Sequence, residues 1–223
     1  MTKEEVRRRI VETGIIPVVR ASSATIAVEA AEAVCAGGIA VVEIAMTVPG
    51  AIDVIKRLVK TMGQHVTVGA GTVLDGVTAL RCMEAGARFL VSPALDLNTV
   101  KLANTGDTLV MPGALTPTEV VAAWNAGADM VKIFPCGNVG GPKYIKALRG
   151  PLPHIPMVPT GGVNLDTAAD FLRAGAIALG VGSELISERD VQTGDTTHIT
   201  RTAGVYLDVV RRTREEMAAI GAK

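Results

Sequence analysis

Ala126-Gly127-Ala128-Asp129-Met130-Val131-Lys132-Ile133-Phe134 compresses a helix end, a tight turn and an apolar strand into one short stretch. Glycine after a helical run closes the helix, and the continuous apolar run behind it reads as a parallel strand covered on both faces. The opening phrase recurs at Ala36-Gly37-Gly38, Ala85-Gly86-Ala87 and Ala174-Gly175-Ala176, at intervals of 41 to 49 residues. Such an interval is too long for one strand and one helix. It suits two such pairs, with strands of about 5–6 and helices of about 11–12 residues. Four copies therefore imply eight strands.

Apolar runs supply them: Ile15–Arg20, Ala40–Ala45, His65–Ala70, Phe89–Ser92, Thr108–Pro112, Met130–Phe134, Met157–Thr160 and Ala176–Val181. Between them, Ile52, Ile55, Val59 and Met62 share a helix face at spacings of three and four. Thr116-Pro117-Thr118-Glu119 is a capping box with proline at the first helical position. Asn164 and Asp166, ahead of Phe171 and Leu172, mark another helix start. Residues 3–13 form an extra helix before the first strand. The expected fold is a (β/α)8 TIM barrel with an extra N-terminal helix, one domain over residues 1–223. A doubly wound open sheet is the rival.

The chain has 223 residues, with 22 basic and 22 acidic side chains, and 48% of it is hydrophobic. A balanced charge and six aromatic residues give no footprint for nucleic acid. The stretch without Asp, Glu, Lys or Arg from Gly150 to Leu165 holds four prolines, which leaves no membrane span. The charged N-terminus is not a signal peptide. Three cysteines without paired spacing suit a reduced, cytoplasmic protein.

A barrel of this kind works at the C-terminal ends of its strands. Arg20, Glu43 and Lys132 each interrupt an apolar run there. Burial lowers the pKa of an amine, and a neutral amine can attack a ketone to form a Schiff base. Lys132 can equally snorkel to a loop or pair with Glu43. Glu43 can carry protons, or serve only as an ion-pair partner. Arg20 suits a carboxylate, through two hydrogen bonds from its planar fork, or a rim salt bridge. Pro159-Thr160-Gly161-Gly162-Val163 and Val181-Gly182-Ser183 follow strands seven and eight, where barrels commonly hold phosphate. Gly69-Ala70-Gly71-Thr72 adds a close-approach loop without a dinucleotide fingerprint. His65, His154 and His198 have no metal-ligand spacing, and Cys136 reads as a small buried hydrophobe. No metal is expected.

On these residues the sequence resembles the class I 2-keto-3-deoxy-6-phosphogluconate (KDPG) aldolases, which include 4-hydroxy-2-oxoglutarate (KHG) aldolases. The carrying phrases are IIPVVRA, GGIAVVEI, VGAGTVLD, FLVSPALD, MPGALTPTE, VKIFP, GGPKYIKALRGPLP, VPTGGVN and GVGSELI, in that order from about Gly14 to Ile186. The resemblance implies that Lys132 is the Schiff-base lysine and Glu43 the acid/base. It implies that Thr72 and Pro93 line the pyruvate pocket and that Phe134 packs beside the lysine. Thr160, Gly161, Gly162, Gly182 and Ser183 would then hold the far, phosphorylated end of the substrate. Many members carry an arginine four residues after the glutamate, where this chain has Thr47. Others have one at the end of strand one, so the carboxylate falls to Arg20. The resemblance further implies a 2-keto acid substrate, pyruvate as product, no cofactor and a homotrimer. Thr160 in PTGG favours the phosphogluconate over the phosphogalactonate substrate. An imine-free phosphate-binding barrel enzyme and a non-catalytic trimeric barrel are the readings from other classes.

Overall fold

The computed structural model describes residues 1–221; the last two residues of the expected 1–223 domain lie outside that range. Helix α1 (Lys3–Thr13) starts at a capping box in which Thr2 and Glu5 exchange hydrogen bonds, and ends on Gly14 at φ 70°. The alternation then begins: β1 (Ile15–Val19), α2 (Ala24–Ala36), β2 (Val41–Ala45), α3 (Ala51–Met62), β3 (Thr67–Gly71), α4 (Gly76–Glu84), β4 (Phe89–Val91) and α5 (Leu97–Thr105). It continues through β5 (Leu109–Met111), β6 (Gly113–Ala114), α6 (Pro117–Asn125), β7 (Val131–Ile133), α7 (Pro142–Arg149), β8 (Met157–Pro159), α8 (Ala168–Arg173) and β9 (Leu179–Val181). Helices α9 (Glu188–Thr193) and α10 (Thr196–Gly221) follow.

The four repeated phrases close α2, α4, α6 and α8, every second helix of the core. In each, one glycine takes the left-handed conformation: Gly38 at φ 96°, Gly86 at 95°, Gly127 at 99° and Gly175 at 101°. A side chain is strained there, so glycine ends the helix and turns the chain into the next strand. The capping box at Thr116 and Glu119 starts α6 as its sequence implies. Asn164 accepts hydrogen bonds from the N–H groups of Asp166 and Thr167 ahead of α8. Helix α3 buries Ala51, Val54, Ile55 and Leu58, so its covered stripe is rotated from the Ile52/Ile55/Val59/Met62 face read from the sequence.

All strand pairs are parallel. Six strands, in the order β5-β4-β3-β2-β1-β9, form one curled sheet, a half-barrel, and β6-β7-β8 form a second sheet of three. The fifth expected strand, Thr108–Pro112, is thus split at its end. Pro112 has no N–H to donate, so β5 pairs with β4 while β6 beyond the proline pairs with β7. Between the sheets run hydrogen bonds from the Asp129 N–H to the Val110 carbonyl and from the Lys132 N–H to the Pro112 carbonyl. On the other side a single bridge joins Thr160 to Gly180.

The core has two parts. The larger lies between strands and helices, with Val34, Ile44, Leu58, Leu90, Phe171 and Tyr206 among its buried members. The smaller joins Val6 and Ile10 of α1 to Ile16, Val41, Phe89, Leu109, Met130 and Val158. Helix α1 therefore packs its apolar face onto strand residues. The guanidinium of Arg214 in α10 fixes that helix by donating to the carbonyls of Val11 and Glu12.

Candidate active site

Glu43 and Lys132 sit in the middle of β2 and β7, and both are buried, at 2% and 3% exposure. The register sets Glu43 between Val18 of β1 and Gly69 of β3, and Lys132 between Gly113 of β6 and Val158 of β8. Each therefore has a backbone ladder on both sides, which fixes the point where its side chain leaves the sheet. Arg20 follows β1 directly and is exposed.

Burial governs the charge of both groups. It pushes the Glu43 carboxyl up, opposed by the positive charges of Lys132 and Arg20. It pushes the Lys132 amine down; Glu43 opposes that shift, and Arg20 adds to it. Both shifts favour the neutral forms. Lys132 and Glu43 form no ion pair within 4.0 Å among the described residues, so the structural pair allowed by sequence is absent. Oε1 of Glu43 is buried with no hydrogen-bond partner. The Lys132 Nζ lies over the Phe134 ring, 5.1 Å from its centre.

A cavity of about 400 Å³ is lined by Val18, Arg20, Ser22, Thr47, Ser183 and Gln192 among others, and neither Lys132 nor Glu43 is part of its lining. It brings together two expected residues, Arg20 and Ser183, and the charge of Arg20 acts on both buried groups. The Nη1 of Arg20 would lie 3.3 Å from a Cβ at Gly182, so this glycine leaves the guanidinium its room. The remaining expected residues are near the strand ends but do not line the cavity. Thr72 follows β3 at φ 58°, an unusual conformation for a residue with a side chain. Pro93 follows β4, and its carbonyl lies where a Cβ at Gly113 would be. Gly161 and Gly162 are left-handed, and Thr167 holds their loop by donating from its hydroxyl to the Gly162 carbonyl. Thr160 is buried with its hydroxyl packed against Gly180, turned into the strand contact.

Three cavity residues carried little or no signal in the sequence. Ser22 and Gln192 lie in no motif, and Gln192 belongs to α9, a short helix that had no apolar period to announce it. Thr47 was visible only as the position where an arginine is common. Elsewhere, the Cys136 thiol is buried and pushed up to about 12 by desolvation, the condition of an inert core cysteine. His154 stacks edge-on against Trp124, and His198 bonds to Asp190. No group of three metal-ligating side chains occurs among the described residues.

Residues 6–202 match the family described as "Aldolase: KDPG and KHG aldolase". The 2-dehydro-3-deoxy-phosphogluconate aldolase of Pseudomonas aeruginosa is 32% identical over 88% of this chain and 89% of its own. The KHG/KDPG aldolase of Escherichia coli K12 is 33% identical over 87% of this chain and 91% of its own. Among solved structures, the KDPG aldolase of Legionella pneumophila, with pyruvate captured at low pH as a covalent carbinolamine intermediate, superimposes with a TM-score of 0.83. It is 28% identical, with 89% of this chain and 96% of that one covered.

A desolvated amine without an ion-pair partner is a burden on the fold. Lys132→Met replaces it with an apolar chain of similar reach, and should raise the unfolding free energy by about 1–2 kcal/mol. Urea denaturation checks this; a loss of stability would mean that the amine is structurally paired.

Proposed function

The chain belongs to the KDPG and KHG aldolase family, and from that premise we propose that it is a class I aldolase whose Schiff base forms on Lys132. One observation carries the assignment of the lysine: a buried amine in an apolar strand, held toward its neutral form and free of any ion pair. A neutral amine is the nucleophile that imine formation needs.

In the forward direction the substrate is 2-keto-3-deoxy-6-phosphogluconate, or the shorter 4-hydroxy-2-oxoglutarate. The Lys132 Nζ adds to C2 of the 2-keto acid. Glu43 gives a proton to the departing hydroxyl, water leaves, and an iminium remains. Glu43, now a carboxylate, takes the proton of the C4 hydroxyl. The C3–C4 bond breaks, its electrons move into the iminium, and an aldehyde departs. The enamine takes a proton from Glu43 at C3, and water hydrolyses the pyruvate imine to restore the lysine. The raised pKa of Glu43 suits a group that must both give and take protons near neutrality. No step calls for a cofactor.

Arg20 is assigned to the substrate carboxylate, with Thr72 and Pro93 beside the pyruvate unit and Phe134 against the lysine chain. Ser183, Gly182, Gly161 and Gly162 are assigned to the far end. The N–H groups of Gly162, Ser183 and Glu184 have no protein acceptor among the described residues, which supports an anion there. Thr160, buried with its side chain against Gly180, is assigned to the same end. The choice of phosphogluconate over phosphogalactonate rests on Thr160 and on the names of the relatives.

The two sheets are best understood as arcs of one closed (β/α)8 barrel in a single domain. The inter-sheet hydrogen bonds at Asp129 and Lys132 and the Thr160–Gly180 bridge support that reading. Among the described residues no helix is long and apolar enough to cross a membrane. Three free cysteines support a cytoplasmic setting. A homotrimer is supported by an exposed apolar set, Leu74, Val77 and Leu80 at α4 with Leu97 at the start of α5. Sedimentation should give the mass of three chains, and a monomer mass would contradict this.

Pyruvate release tests the reaction and its far pocket together. The wild-type protein should release pyruvate from both substrates, and Lys132→Met from neither. Ser183→Ala should raise KM about tenfold for the phosphorylated substrate, the loss of one charge-assisted hydrogen bond, and spare the shorter one. Turnover by Lys132→Met would contradict the lysine assignment, and equal losses on both substrates would contradict the phosphate assignment.

A further inference from the structure

Strand β3 carries two glycines, Gly69 and Gly71, two residues apart and so on one face. A glycine inside a strand weakens it and is retained where something approaches closely. Neither has the left-handed φ that would by itself demand glycine. Space is the reason at both. A Cβ at Gly69 would fall 2.3 Å from the Phe89 ring. A Cβ at Gly71 would fall 1.8 Å from Oε1 of Glu43, 2.4 Å from its Cδ and 2.7 Å from its Cγ. All three of the nearest atoms at Gly71 belong to that one side chain.

We propose that Gly71 is a positioning residue for the proton-transfer steps: the volume it leaves empty is the seat of the Glu43 carboxyl. This rests on the aldolase reading, in which Glu43 moves the protons. The seat has two properties. It offers no donor: Oε1 is buried against it without a hydrogen-bond partner. It is also tight, so the carboxyl is held in one place without a hydrogen bond to hold it. The charged groups that act on Glu43 are Lys132 from β7 and Arg20 from the end of β1. A carboxyl pushed off this seat would change its distance to both. Burial already raises its pKa, and the same displacement would move the pH range in which it works.

The test is a pair of cycles. Gly71→Ala should lower kcat about 10²-fold with KM little changed, the scale expected for a misplaced acid/base. It should also shift the limb of the kcat–pH profile that disappears in Glu43→Gln. Added to Glu43→Gln, the alanine should cost less than about twofold more, because the group it displaces is already disabled. The second cycle is read in thermal midpoints and stands even where activity is lost. Gly71→Ala should lower the midpoint of the wild-type protein and leave that of Glu43→Ala unchanged, since trimming the glutamate vacates the contested space. Equal destabilisation in both backgrounds, or multiplicative kinetic losses with Glu43→Gln, would overturn the proposal while leaving the aldolase reading intact. Wild-type turnover by Glu43→Gln would remove the proton-transfer reading and the proposal with it.

Discussion

An amine and a carboxyl share the interior of this protein under one constraint: both are almost wholly withdrawn from water, and they form no ion pair within 4.0 Å of each other. Lys132 is flanked by β6 and β8, Glu43 by β1 and β3, so each is fixed by backbone ladders on both sides. The desolvation that results shifts the two groups toward neutrality from opposite directions. A neutral amine beside a neutral carboxyl is the starting state that imine formation requires, a nucleophile together with a proton for the leaving hydroxyl. On the proposed reading the chemistry follows from where the strands place the groups.

The interior that imposes this constraint is built by omission. Gly69 admits the Phe89 ring, Gly71 the Glu43 carboxyl and Gly180 the Thr160 side chain, each at a distance no Cβ would allow. Large side chains of one strand lie in gaps left by glycine on its neighbour, so packing and site geometry have the same origin. The same device recurs outside the strands. Gly162 and Gly137 approach so closely that a Cβ on either would collide, which fixes the loop after β8 against the turn after β7.

Much of this could be read from residues alone, and what could not has definite causes. The helix-closing glycines and the capping box at Thr116 are local signals, which no tertiary contact overrode. Lys132 and Glu43 stood out because charge in an apolar run is costly anywhere. Strand β6 did not, because Gly113 and Ala114 carry no strand propensity and exist as a strand only by pairing with β7. Gln192 and Ser22 reach the cavity through the packing of α9 and of the turn after β1, a juxtaposition no spacing encodes.

Borohydride reduction in the presence of pyruvate, followed by peptide mapping, tests the central claim most directly. The account predicts a single pyruvate-derived adduct, on Lys132, absent when pyruvate is left out. An adduct on another lysine, or none on folded protein, would contradict it.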